Sequence, residues 1–133
     1  MGDRLDKLRR IKRLQGDLHR LAEWRLAQLA QRERGLAEQQ QALITTLNDE
    51  DHLHGMFVAS MARRLKSLAG ETERVRAMLE AQSGRVLDEA KRLKRAELMA
   101  GRVESDDRRE AEKRDLLHLI EALVARHRDA SLP

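Results

Sequence analysis

The five histidines are the first place to look for chemistry in this chain, and their spacing speaks against it. His52 and His54 form an H-x-H pair, but on a helix positions i and i+2 point to different sides, so one metal ion is hard to share. In an extended loop the pair would need further ligands. A solvated turn is the simpler setting for both. His19, His118 and His127 are isolated. With no Cys and no Tyr there is no thiolate nucleophile, no disulfide frame and no thiolate metal site. Neither a phosphate-binding glycine loop nor an H-E-x-x-H motif occurs. The expectation is a chain that is not an enzyme and takes no cofactor, metal or small-molecule substrate. Its work should be done on other macromolecules.

The elements that position any such surface are long helices. Of 133 residues, 38% are charged, 2% are aromatic and the one proline is Pro133. Ala and Leu supply much of the apolar content, which suits long helix rather than packed sheet. From Met61 an unbroken run of 4- and 3-residue steps passes through Leu65, Leu68, Thr72, Val75, Leu79, Gln82, Val86, Glu89, Leu93, Ala96 and Ala100 to Val103. Such a 3.5-residue repeat keeps a narrow stripe on one side of a helix, and the stripe must bury against another helix.

The strongest break is Asn48-Asp49-Glu50-Asp51, where short polar side chains favour a turn and the acids suit the start of a following helix. The reading is a single coiled-coil domain over 1–133, with a helix at 3–47, a turn at 48–51 and a helix at 52–128. A connection this short makes the helices antiparallel neighbours. The fold class expected is all-α, a long antiparallel two-helix coiled-coil hairpin. In helix one, Leu8, Ala22, Leu29, Leu36 and Leu43 recur at multiples of seven. Ile11 and Leu18 are read as the adjoining row, which then fails at Arg25, Arg32, Gln39 and Thr46. Leu14, Leu21, Leu26 and Leu47 are read as flanking it.

Helix one offers about 68 Å at 1.5 Å per residue, so helix two should be covered only to about residue 97–103. The seam stops at Val103. Beyond it helix two should overhang at its C-terminus by about 25 residues, close to 38 Å. The glycines inside the helices, Gly16, Gly35, Gly70, Gly84 and Gly101, are read as tolerated or as points of bending.

Three surfaces stand out as contacts. Residues 1–20 hold seven basic against three acidic side chains, which accounts for the whole net charge of +4. A basic end suits an acidic protein, a nucleic acid or an anionic membrane surface. Met56, Phe57 and Val58 crowd the start of helix two, with Phe57, Met61, Leu65 and Leu68 near one helical stripe. Leu116, Leu117, Leu119, Ile120, Leu123 and Val124 form a cluster wider than a seam. It should bind a partner or a second copy, or else bend back onto Leu5, Leu8 and Leu14. Trp24 lies on the outer side of helix one.

The basic start Lys7-Leu8-Arg9-Arg10-Ile11-Lys12-Arg13-Leu14-Gln15, the acidic turn, the aromatic just after it and the late charged stretch Arg109-Glu110-Ala111-Glu112-Lys113-Arg114-Asp115 resemble the FliJ/YscO-type proteins of bacterial flagellar and type III export systems. The likeness covers the chain in outline. It implies a central stalk in a hexameric export ATPase, coupling that ATPase to the membrane export gate and binding export chaperones. It also implies a cytoplasmic place, peripheral to the inner membrane, consistent with the lack of any apolar run long enough to span a bilayer. By position, Arg9, Arg10, Lys12, Arg13, Arg109, Lys113, Leu116, Ile120 and Leu123 would meet the ATPase ring. Phe57, Met61 and Leu68 would face the gate. One departure is that the family's acidic pair after the late Lys is here Asp115 followed by Leu116 and Leu117.

Two other readings stand beside it. One is a general coiled-coil adaptor or chaperone, a monomer or weak homo-oligomer that self-associates through residues 116–124. The weaker one is nucleic-acid binding through residues 4–20, where leucines recur and no stacking aromatics lie among the basic residues.

Overall fold

A computed structural model describes residues 2–49 and 55–131. They form two helices, α1 (Gly2–Asn48, 47 residues) and α2 (Gly55–Ser131, 77 residues), with no strand among the described residues. The architecture is the all-α antiparallel helical hairpin expected, with α2 the longer helix. In the last turns of α1, Thr45 and Thr46 donate their hydroxyls to the carbonyls of Gln41 and Ala42, each at 2.9 Å, and the Asp49 amide donates to Thr46 O at 3.2 Å. Residues 50–54, which hold half of the expected turn at 48–51 and the expected start of helix two with His52, Leu53 and His54, lie outside the described residues.

The packing falls into two compact units that share the helices: Gly16–Lys91, and Met1–Gln15 with Arg92–Pro133. In Gly16–Lys91 the α2 row from Met61 to Glu89 is buried or half-buried at every seam position. Leu36 (5% exposed), Leu68 (0%) and Val75 (4%) form the core cluster, with Leu43 and Leu79 packed against it. Leu68 and Val75 are one heptad apart, so Leu36 is placed as a knob between them.

The matching row of α1 corrects the sequence reading. It runs His19, Ala22, Leu26, Leu29, Glu33, Leu36, Gln40, Leu43, Leu47, all buried or half-buried, whereas Leu18, Arg25, Arg32, Gln39 and Thr46 are exposed. The row Ala22, Leu29, Leu36, Leu43 is common to both phasings. The second row lies one residue later than expected, and polar residues at 19, 33 and 40 disguise it. Those polar groups find partners. Gln40 Nε2 donates to Thr72 Oγ1 at 3.2 Å, and Thr72 Oγ1 donates to Leu68 O at 2.8 Å. Arg76 lies 3.7 Å from Glu33, and Gln82 Nε2 donates to Ala22 O at 3.0 Å.

In the other unit, Ala96, Ala100 and Val103 are buried on α2, with Leu93 half-buried, and α1 contributes half-buried Leu5, Leu8 and Gln15. Small side chains at 96 and 100 let the helix axes approach closely. Burial does not stop at Val103: Asp107 and Ala111 are half-buried, because α1 reaches back to Gly2. The exposed overhang therefore begins at residue 112, and residues 112–130 are exposed throughout. At 1.5 Å per residue this is about 28 Å, shorter than the 38 Å expected.

The glycines do not interrupt the helices. Both helices run through them without interruption, and no described glycine has a positive φ. A Cβ added at Gly35, Gly84 or Gly101 would meet nothing within 4 Å. Gly→Ala at each should therefore raise stability by about 0.8–1 kcal/mol through backbone entropy. In thermal melts followed by circular dichroism this corresponds to roughly 3–5 °C per site, and an unchanged midpoint in the triple variant would refute it.

Candidate interaction surfaces

Among the described residues no group of three or more His, Asp or Glu side chains is placed to hold a metal ion. No described helix is long and apolar enough to cross a membrane. A groove of about 430 Å³ in Gly16–Lys91, lined by Leu29, Arg32, Glu71, Arg74, Val75 and Met78, is open to solvent. The outward surfaces are therefore the features to weigh.

The unit of Met1–Gln15 with Arg92–Pro133 holds nine of the residues singled out in the sequence. Arg9, Arg10, Lys12 and Arg13 are all exposed on the first turns of α1, and Arg109 and Lys113 are exposed on α2. Arg9 lies 3.7 Å from Glu104, with both side chains about half in water (51% each). A pair this exposed is worth well under about 1 kcal/mol, and it places residues 9 and 104 near the same level along the two helices. Counting outward from it, Gly2 comes level with Ala111, which is where burial on α2 ends.

Past that point α2 continues as a helix with nothing over it. Leu116, Leu117, Leu119, Ile120, Leu123 and Val124 are between 47% and 58% exposed. At about 100° per residue these six fall within an arc of about 160°. The opposite side carries Arg114, Asp115, His118, Glu121, Arg128 and Asp129. An arc so wide exceeds a two-stranded seam and suits a helix that packs on more than one neighbour. Because α2 is continuous, the bend that would return this cluster onto Leu5, Leu8 and Leu14 does not occur.

In Gly16–Lys91 the residues expected to face a gate separate. Phe57 is 60% exposed beside Met56 (87%) and Val58 (41%), while Met61 is half-buried on the inner row. Leu68 is corrected: it is 0% exposed at the centre of the core. Its 3–4 spacing from Met61 and Leu65 puts it on the seam, where α1 covers it, and a partner would reach it only by parting the helices. Trp24 is 59% exposed, on the outer side as read.

Sequence reasoning missed one patch. Ile11 (48%) and Leu14 (57%) were assigned to the seam or its flank and are exposed, as is Met99 (54%). The register set by Arg9 and Glu104 brings Leu14 and Met99 to the same level. The signal was present in the sequence as an unpaired 3-residue step, Ile11 to Leu14, inside the basic stretch. Comparison with models of protein families, with curated proteins and with solved structures gives no match.

Proposed function

We propose that this chain is a non-enzymatic stalk and adaptor of a bacterial flagellar or type III protein export apparatus, coupling the export ATPase to the membrane export gate. The observation that carries the reading is the composition of one unit: exposed basic residues on the first turns of α1, joined to an overhanging helix whose broad apolar face has nothing over it. An extended pair of helices that offers cationic and apolar surface together is equipped to engage a ring of subunits, with the charges guiding approach and the apolar arc supplying contact area. The likeness of residues 7–15 and 109–115 to FliJ/YscO-type proteins gives the partner: a hexameric export ATPase at the termini, the gate at exposed Phe57 and half-buried Met61, and export chaperones as further clients. On this reading the protein works in the cytoplasm, peripheral to the inner membrane.

The test is co-purification with the export ATPase encoded in the same genome, in low-salt buffer, with ATP hydrolysis measured alongside. One stalk per hexamer and faster hydrolysis are expected. Arg10→Glu/Arg13→Glu should weaken binding at least tenfold and flatten its salt dependence. Neither capture nor any change in hydrolysis would end the proposal.

A further inference from the structure

The overhang begins where α1 begins, and the same unit carries an apolar patch that its own overhang cannot reach. We infer that in the free protein a second copy of this chain covers the overhang: two copies pair about a two-fold axis at the level of Gly2 and Ala111, each laying its overhang along the α1–α2 face of the other. This goes beyond the stalk reading, since it concerns the chain before any ATPase is bound.

Length is the first argument. A two-fold at Ala111 puts residue 112 of one copy beside the start of α1 of the other, with no gap. The overhang of about 28 Å then runs beside α1 of that copy to about residue 20, so the full exposed length is matched. Register is the second. In that arrangement Ile120 comes level with Ile11 of the second copy, and Leu123 with Leu14 and Met99. Those three are the large apolar side chains this unit leaves exposed on the stretch an overhang would cross, apart from Leu98. By helical spacing Ile11 and Met99 stand on the same side of the helix pair, each about 80° from its inner row. A helix seated there touches α1 and α2 together, which is what an arc of about 160° requires.

Area is the third. Six residues left about half in water expose on the order of 600 Å², at the upper end of what a monomer's largest apolar patch shows. The two-fold makes two such contacts, each with a receiving face of similar size. If only half of that surface is covered, the total is about 1,200 Å², the lower bound for a specific interface.

Sedimentation equilibrium of the full chain alone, from about 1 to 100 μM, should show a reversible shift from 15.4 kDa to twice that mass. Ile120→Asp/Leu123→Asp should hold the mass at 15.4 kDa with unchanged helicity, because both side chains are exposed in the single chain. The chain has no cysteine, so introduced ones report geometry cleanly. Ile11→Cys mixed with Ile120→Cys should give a disulfide-linked pair. Ile120→Cys alone should not, since two-fold-related copies of that position lie about 27 Å apart and a disulfide needs Cα atoms within about 7 Å. A monomer at every concentration overturns the inference, as does ready cross-linking of Ile120→Cys with itself, which would mean overhang against overhang. The stalk reading is measured with the ATPase present and survives either result.

Discussion

Leu68→Ala should cost the hairpin about 3 kcal/mol, within the roughly 2–5 kcal/mol found when a buried leucine is cut to alanine. Leu68 is fully buried in the core cluster of Gly16–Lys91 with Leu36 and Val75, against which Leu43 and Leu79 pack. Against a total stability of about 5–15 kcal/mol, this is a large fraction. The melting midpoint should fall by roughly 10–15 °C. Leu116→Ala, chemically the same change at a site 57% exposed, should cost under about 0.5 kcal/mol. Urea titrations of the two variants side by side decide the matter. Equal midpoints would mean that the seam does not hold the helices together. The contrast also separates two settings of leucine here: at 68 it joins α1 to α2, and at 116 it stands exposed on the overhang.

That separation explains how far the sequence could be read. The α2 row was legible because its apolar residues keep strict 4- and 3-residue steps, and a helix with such a stripe has one side to bury. α1 was harder. The row of Ala22, Leu29, Leu36 and Leu43 fixes only one of the two seam rows, and the other can follow three or four residues on. Ile11 and Leu18 favoured the wrong choice by hydropathy alone. The right one carries His19, Glu33 and Gln40, whose burial makes sense only once Thr72 and Arg76 are seen opposite two of them. Hydropathy along one strand cannot reveal a polar residue satisfied by the other. The same error hid the exposed patch, since Ile11 and Leu14 were already assigned inward. The overhang was legible because it is set by a difference in helix length. Its start was misplaced because half-buried Asp107 and Ala111 are too polar or too small to read as seam.

The polar layers that obscured α1 carry the second large effect. Replacing Gln40, Thr72 and Gln82 by Leu, Val and Leu should raise stability by about 2–3 kcal/mol in all, because burying amides and hydroxyls costs more than their hydrogen bonds return. Thr72 (5% exposed) and Gln82 (7%) sit deep enough for the gain to be real. The cost should appear as register. An apolar seam of Leu and Val looks much the same after a shift of one heptad, whereas Gln40 must meet Thr72 and Gln82 must meet the Ala22 carbonyl. A buried polar residue on a coiled-coil seam fixes alignment for this reason, at some loss of stability. A heptad slip moves one helix about 10 Å past the other. Spin labels on Gln39→Cys and Glu73→Cys, both exposed positions, should give one narrow distance in the native sequence and a broadened or double distribution in the triple variant. A triple variant that is more stable and still shows one narrow distance would remove the polar layers from any part in alignment. A slip would also change how far α2 extends beyond α1. Loss of register should therefore change the length of the overhang, even though none of the three substitutions touches that surface.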